Sequence, residues 1–286
     1  MFKSIFIIFI SIILALILIS CTRIIEIYKP LTLKQIQWSE IYDLKKLDKN
    51  YVAQGIEVYK NYLFFTAHKQ DKASVLIVFN ITDNSKLKPI FTTYFPKEAT
   101  HVSDLSIYNS KLYTIDYATN NLYVIDINKT IQNQKLSLIK TIPTYLSRSG
   151  SIILTNYNNT TIVMISQFII NDKIKAYKLS ELSNKYKKPL FAIDAKYFIQ
   201  GLYAKDNKLL VSSNKKGTDL ICITNLNIAI KDKTINNKSS IYIKGPRRMI
   251  EDIVLYKNYI ITSDEKTNKI YISNHKLSYI YRINSE

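Results

Sequence analysis

The feature that most constrains this chain is a pattern that returns about every fifty residues. Clear copies are Gln54-GIEVYKNYLFFTAHK, Ser103-DLSIYNSKLYTIDYATNNLYVIDI, Gln200-GLYAKDNKLLVSSNKKGTDLICITNL and Glu251-DIVLYKNYIITSDEKTNKIYIS. A fainter copy passes through Gly150, Ile153, Thr161–Gln167 and Lys173–Leu179. Each begins with an apolar strand, turns on two polar residues, and runs into a second strand that ends in small or acidic residues. Another polar turn then leads to a third strand. The strand-start anchors Gly55, Asp104, Gly150, Gly201 and Asp252 are 49, 46, 51 and 51 residues apart. The second-strand ends Ala67, Asp116, Ser166, Ser213 and Asp264 are 49, 50, 47 and 51 apart. Two markers with matching periods require an array of like units.

Units of this length holding short strands predict an all-β fold, a β-propeller of five blades with four antiparallel strands each. Fourth strands are expected at Ile90–Phe95, Lys140–Pro143, Leu190–Ala195 and Ser240–Ile243. Alternation such as Leu112, Thr114, Asp116 against Tyr113, Ile115 fits sheets packed on both faces. Lys34–Leu44 has strand character and is placed to pair with the last blade and close the ring, which removes exposed edges. Lys269–Ser273 and Ser278–Ile283 are left as the third and fourth strands of that blade. A six-bladed count, with the N-terminus building more of a blade, stays open. Helix is nearly absent from the pattern, with one turn at Ser180–Asn184. The chain has only 5 glycines, and asparagine, which tolerates left-handed backbone, fills the turns instead.

Leu112-YTIDYATNNLYVIDI resembles the blades of the NHL-type and gluconolactonase-like propeller superfamily, and the resemblance extends over about residues 38–283. It implies the propeller fold and, for gluconolactonase-like members, a divalent cation such as Ca²⁺ held near the axis by acidic and Asn side chains. Glu57, Asp104 and Asp252, with His101, are the residues here that approximate such a set. The Trp-Asp and Gly-His marks of WD40 repeats are missing.

A second resemblance lies at the start of the chain. Lys3 precedes an apolar run from Ile5 to Ile19, broken only by Ser11, and the run ends in Leu18-Ile19-Ser20-Cys21. This resembles the lipobox of bacterial lipoproteins. It implies a signal peptide over 1–20, acylation of Cys21 (palmitate among the chains), a tether over 21–33 and an exported domain over 34–286. The run is shorter than the ~20 residues of a membrane span, although an uncleaved anchor is the alternative. Several acyl chains hold a protein firmly where one does not. The expected location is the cell envelope, at the periplasmic face or the cell surface. Thr22 in place of aspartate favours the outer membrane over the inner.

The formal net charge is +18. The lysines are scattered through turn-like stretches such as Lys215-Lys216 and Lys231-Asp232-Lys233, so nucleic acid is not expected as a partner. Attraction to anionic lipid head groups or glycans fits a basic domain held near a membrane. With Cys21 acylated, Cys222 is alone in an apolar run, and no disulfide or cysteine metal site can form.

In a propeller the residues at the starts of the innermost strands converge on the axis. Those residues are Gln54 and Glu57; His101, Ser103 and Asp104; Arg148 and Ser149; Gln200 and Tyr203; and Arg247, Arg248, Glu251 and Asp252. They form the candidate ligand-binding rim, and Arg148, Arg247 and Arg248 suit an anionic small molecule or glycan. The competing role for the same polar groups is to satisfy the backbone of neighbouring blades. Asp116 and Asp264 recur too regularly for catalysis and are expected to accept bonds from the following turn. No nucleophile elbow, P-loop, dinucleotide fingerprint or HExxH pattern is present, so no catalytic residue is assigned. The leading expectation is a monomeric, membrane-anchored binding or scaffolding module for an envelope protein or anionic ligand. The alternatives are a metal-dependent lactonase- or esterase-like hydrolase and a component of an outer-membrane assembly complex.

Overall fold

The chain divides into two units, 1–33 and 34–286. The computed structural model describes residues 35–286 except 82–86, 169–172, 196–197, 216–217, 237–238, 247–248 and 283–286. Cys21 and the segments assigned as signal peptide and tether therefore lie outside the described residues.

The described residues form a five-bladed β-propeller of four-stranded antiparallel sheets. Blade 1 holds β2 (Val52–Tyr59), β3 (Tyr62–Lys69), β4 (Lys72–Asn80) and β5 (Lys88–Tyr94). Blade 2 holds β6 (Val102–Tyr108), β7 (Lys111–Asp116), β8 (Asn121–Asp126) and β9 (Leu138–Pro143). Blade 3 holds β10 (Ser149–Tyr157), β11 (Thr160–Gln167), β12 (Lys173–Lys178) and β13 (Phe191–Asp194), and blade 4 holds β14 (Phe198–Lys205), β15 (Lys208–Lys215), β16 (Thr218–Asn225) and β17 (Ile241–Lys244). Blade 5 takes β18 (Ile250–Tyr256), β19 (Tyr259–Asp264) and β20 (Lys269–Lys276) from the C-terminal end of the chain and β1 (Trp38–Asp43) from the start of the domain.

β1 pairs antiparallel with β20. The Lys269–Glu40 ion pair at 2.6 Å and the Trp38 indole N–H donating to Lys244 O at 3.2 Å fix it there. The N-terminal strand thus covers the β20 edge and closes the ring, as the strand character of 34–44 predicts. The fourth strand expected at Ser278–Ile283 is instead a helix, α3 (Leu277–Arg282). Its outer position in the sheet is taken by β1, and Leu277 and Ile280, three residues apart on one helix face, are buried. Five blades, not six, result.

Two further helices were absent from the repeat pattern. α1 (Ile127–Asn133) and α2 (Leu226–Asp232) join the third and fourth strands of blades 2 and 4. Asp126 and Asn225 cap them, each accepting at 3.0 Å from the N–H three residues on, of Lys129 and Ile228. The turn expected at Ser180–Asn184 is a short 3-10 turn at Leu179–Glu181.

Both faces of each blade are buried, as the alternation requires. Phe64, Leu76 and Val78 pack with Leu105, Leu112 and Tyr123 of blade 2. Their strand neighbours Phe65, Ile77 and Phe79 pack with Ile253, Ile261 and Ile270 of blade 5.

Candidate functional site

The innermost strands β2, β6, β10, β14 and β18 surround the axis, and each carries a bulge at the same level. The register slips between Ala53 and Ile56, Val102 and Leu105, Ser149 and Ser151, Ile199 and Gly201, and Ile250 and Ile253. Beyond the bulge each strand ends in a two-residue hairpin turn. In blades 2–5 both turn residues are left-handed (Asn109-Ser110, Asn158-Asn159, Asp206-Asn207, Lys257-Asn258). Such a turn closes on a hydrogen-bonded pair, so successive backbone N–H groups alternate between the partner strand and the axis, and those two residues apart face the same way. Two tiers of N–H groups therefore face inward. One comprises Ile56, Leu105, Ile152, Leu202 and Ile253; the other comprises Val58, Ile107, Leu154, Ala204 and Leu255.

Two aspartates receive the whole first tier. Asp104 Oδ1 accepts from Leu105 N–H at 2.7 Å, and its Oδ2 accepts from Ile152 N–H at 2.9 Å and Leu202 N–H at 3.2 Å. Asp252 Oδ1 accepts from Ile253 N–H at 2.6 Å and its Oδ2 from Ile56 N–H at 2.7 Å. The two carboxyls also hydrogen-bond to each other, which requires a proton between them. Burial pushes Asp104 up to about 7 and raises Asp252 well above the carboxylate range, with the Asp104 charge adding to the rise. Glycine makes room for this pair. A Cβ on Gly201 would lie 2.4 Å from Asp252 Oδ1, and one on Gly55 would lie 2.3 Å from Ser103 O.

Hydroxyls tie the bulges to neighbouring blades. Thr66 donates to Ser103 O at 2.7 Å, Ser151 to Gln200 O at 2.7 Å, Ser212 to Glu251 O at 3.3 Å and Ser263 to Gln54 O at 2.7 Å. Gln54 turns its amide onto Ala53 O at 2.7 Å. In the second tier, Glu57 accepts from Val58 N–H at 2.8 Å and Ile107 N–H at 3.4 Å, and Ser106 Oγ accepts from Leu154 N–H at 3.0 Å. Burial pushes the Glu57 carboxyl up to about 8.

At the other end of the innermost strands, a cavity of about 800 Å³ opens between blades 1 and 2, lined by Asn50, His68, Lys69, Asp71, His101 and Tyr117 among others. His101 stacks on His68 with ring centroids 4.2 Å apart, and on its other side lies Tyr117 at 5.2 Å. Tyr117 in turn meets Phe168 of blade 3 at 6.4 Å. Burial lowers both imidazoles, His68 to about 4, and His68 Nδ1 has no hydrogen-bond partner. Lys69 is neutralised by Asp48 at 2.9 Å. Near-parallel imidazoles do not converge on a shared metal, because their lone pairs lie in their ring planes.

No family model and no curated protein matches the chain. Among solved structures, the glutaminyl cyclase of Myxococcus xanthus aligns with 85% of this chain and 98% of its own, at a TM-score of 0.59 and 10% identity. BamB from Moraxella catarrhalis aligns with 78% of this chain and 82% of its own, at a TM-score of 0.37 and 9% identity. What the cyclase shares with it is the fold.

The predicted rim residues thus separate. Asp104 and Asp252 meet at the axis, with Glu57 further along it. His101 belongs to the cavity between blades 1 and 2. Arg148 is exposed, with a left-handed backbone and its N–H donating to Asn120 Oδ1 at 3.0 Å. The Gln200 carbonyl serves blade 3. Glu251 faces Glu265, Asp264 and Asp219, and burial and these charges raise it well above the carboxylate range. Arg247 and Arg248 lie outside the described residues. Asp116 accepts from His101 N–H at 2.8 Å and from the Thr119 N–H and hydroxyl at 2.7 and 2.6 Å. Asp264 accepts from the Thr267 N–H and hydroxyl, both at 2.7 Å. Among the described residues no cluster of three or more His, Cys, Asp or Glu is placed to hold a metal ion, and no helix is long and apolar enough to cross a membrane. His68, Ser106 and the inward N–H tiers were not singled out from sequence. The recurrence of Thr66, Ser212 and Ser263 near the second-strand ends was the signal for the blade-to-blade hydroxyls.

Proposed function

We propose that this chain is a lipid-anchored envelope protein whose propeller serves as a binding module for an envelope protein or a polar ligand. The carrying observation is how the axial acids are used. Asp104 and Asp252, which a metal-dependent hydrolase would need as ligands, accept five backbone N–H groups and share a proton. Their lone pairs hold the ring together. The cavity with the His68–His101–Tyr117 row has an aromatic wall, and Asn50, Lys69, Gln70, Asp71 and Thr100 give it polar groups that could orient a polar ligand.

Metal analysis combined with melting in Ca²⁺ and in EDTA tests this reading. Matching melts are expected; a stoichiometric ion with a clear shift would overturn this reading. A glutaminyl cyclase assay on the purified chain is expected to show no turnover. For the anchor, Cys21→Ala is expected to move a folded protein from the membrane to the soluble fraction, and persistent membrane attachment would mark an uncleaved anchor.

A further inference from the structure

The second tier of inward N–H groups is capped differently from the first. Glu57 takes those of Val58 and Ile107, and the Ser106 hydroxyl takes that of Leu154. Among the described residues, no side chain accepts from the N–H of Ala204 or Leu255. Ala204 lines a cavity of about 250 Å³ at the hairpin end of the channel, together with Glu57, Ser106, Tyr203 and Lys205. At ~30 Å³ per water-sized group, that volume holds a molecule of several heavy atoms.

We propose that this mouth binds a small carboxylate, which accepts from the N–H of Ala204 and pairs with the Glu57 carboxyl under the Lys205 ammonium. The first tier shows the same chemistry with resident groups: a carboxylate caps inward amides while hydrogen-bonded to a second, protonated carboxyl. Oriented backbone amides form an anion-binding concavity, and hydrogen bonds to an ionised acceptor are about twice as strong as neutral ones. Besides burial, the N–H groups of Val58 and Ile107 oppose the protonated form of Glu57, Asp104 favours it and Lys205 opposes it. Tyr203 faces it as well and stays protonated through burial. Burial dominates and keeps Glu57 able to donate at neutral pH. The site lies at the opposite end of the channel from the His68–His101 cavity and does not depend on the anchor or on what that cavity binds.

The test is amide NMR of the full chain in detergent, titrated with succinate and, in parallel, with neutral succinamide. Succinate is expected to shift the Ala204 N–H saturably at pH 6.5, with weaker binding once pH passes about 8. Glu57→Gln, which keeps an acceptor for Val58 and a donor for the ligand, is expected to bind without that pH dependence. Lys205→Met, at an exposed rim position, is expected to weaken binding about tenfold through loss of a charge-assisted contact. An unmoved Ala204 resonance up to about 50 mM succinate, far weaker than a specific site, overturns the proposal. So does an equal response to succinamide.

Discussion

A buried backbone N–H without an acceptor costs about 1–3 kcal/mol, and the ring geometry aims five of them at one level of the axis. Aspartate suits that level because it only accepts, with two oxygens that each take more than one bond. Asp104 alone serves blades 2, 3 and 4. Asp104→Ala strands three N–H groups and is expected to lower unfolding stability by about 3–5 kcal/mol in urea melts. Asp104→Asn, which keeps one acceptor oxygen, is expected to cost less; an equal loss for both would mean that shape, not hydrogen bonding, sets the requirement. Gly201→Ala brings a methyl group against Asp252 and the backbone of Glu251, and about 1–3 kcal/mol of overpacking is expected. The repeat placed Asp104 and Asp252 at the axis from sequence alone, but not what they bind there. Their partners Ile152, Leu202 and Ile56 lie 48 to 196 residues away, and a backbone N–H leaves no mark on the sequence. His68 shows the same limit: it stacks on His101 only because the hairpin of blade 1 folds over the start of blade 2.

Among the elements, the strands were legible because period-two alternation and polar turns recur at a fixed spacing. The helices were not, since seven-residue segments such as Ile127–Asn133 give too few turns for a helical period. Their caps Asp126 and Asn225 look in sequence like ordinary turn residues. β1 is the element on which ring closure rests. Besides pairing with β20, it accepts at Ile41 O from Leu87 N–H of blade 1, and Leu44 N–H just beyond it donates to Asn268 O. Deleting residues 1–43 exposes the full β20 edge, which is a template for pairing with another chain. The truncated chain is expected to melt lower and to self-associate with concentration in light scattering, whereas an unchanged melt and a monomer would show that blade 5 stands on three strands.

For the whole molecule, the buried acids set a pH dependence whose sign follows from linkage. Burial holds Asp104 and Asp219 up to about 7 and Glu57 up to about 8, and raises Asp252 and Glu251 as well. In the unfolded chain these groups titrate near 4. Between those values the native state holds more protons than the unfolded one, so stability is fully present below about pH 4 and is lost as pH rises through 7 to 8. The histidines act the other way. His68, lowered to about 4 from 6.5, and His101, lowered as well, leave the unfolded state with more protons below pH 6.5, so their contribution grows as pH rises to that point. Above about pH 6.5 the histidine contribution is in place and stops changing, so the carboxyls alone set the slope. Each group still protonated in the native state removes up to ~1.4 kcal/mol per pH unit. Urea melts are therefore expected to show a loss of about 3 kcal/mol or more between pH 6.5 and 8, reduced in Asp104→Asn when each protein is compared with itself across the two pH values. A flat or rising profile over that interval would mean that Asp104, Asp219 and Glu57 are ionised in the folded ring, and that the contact between Asp104 and Asp252 is not held by a shared proton.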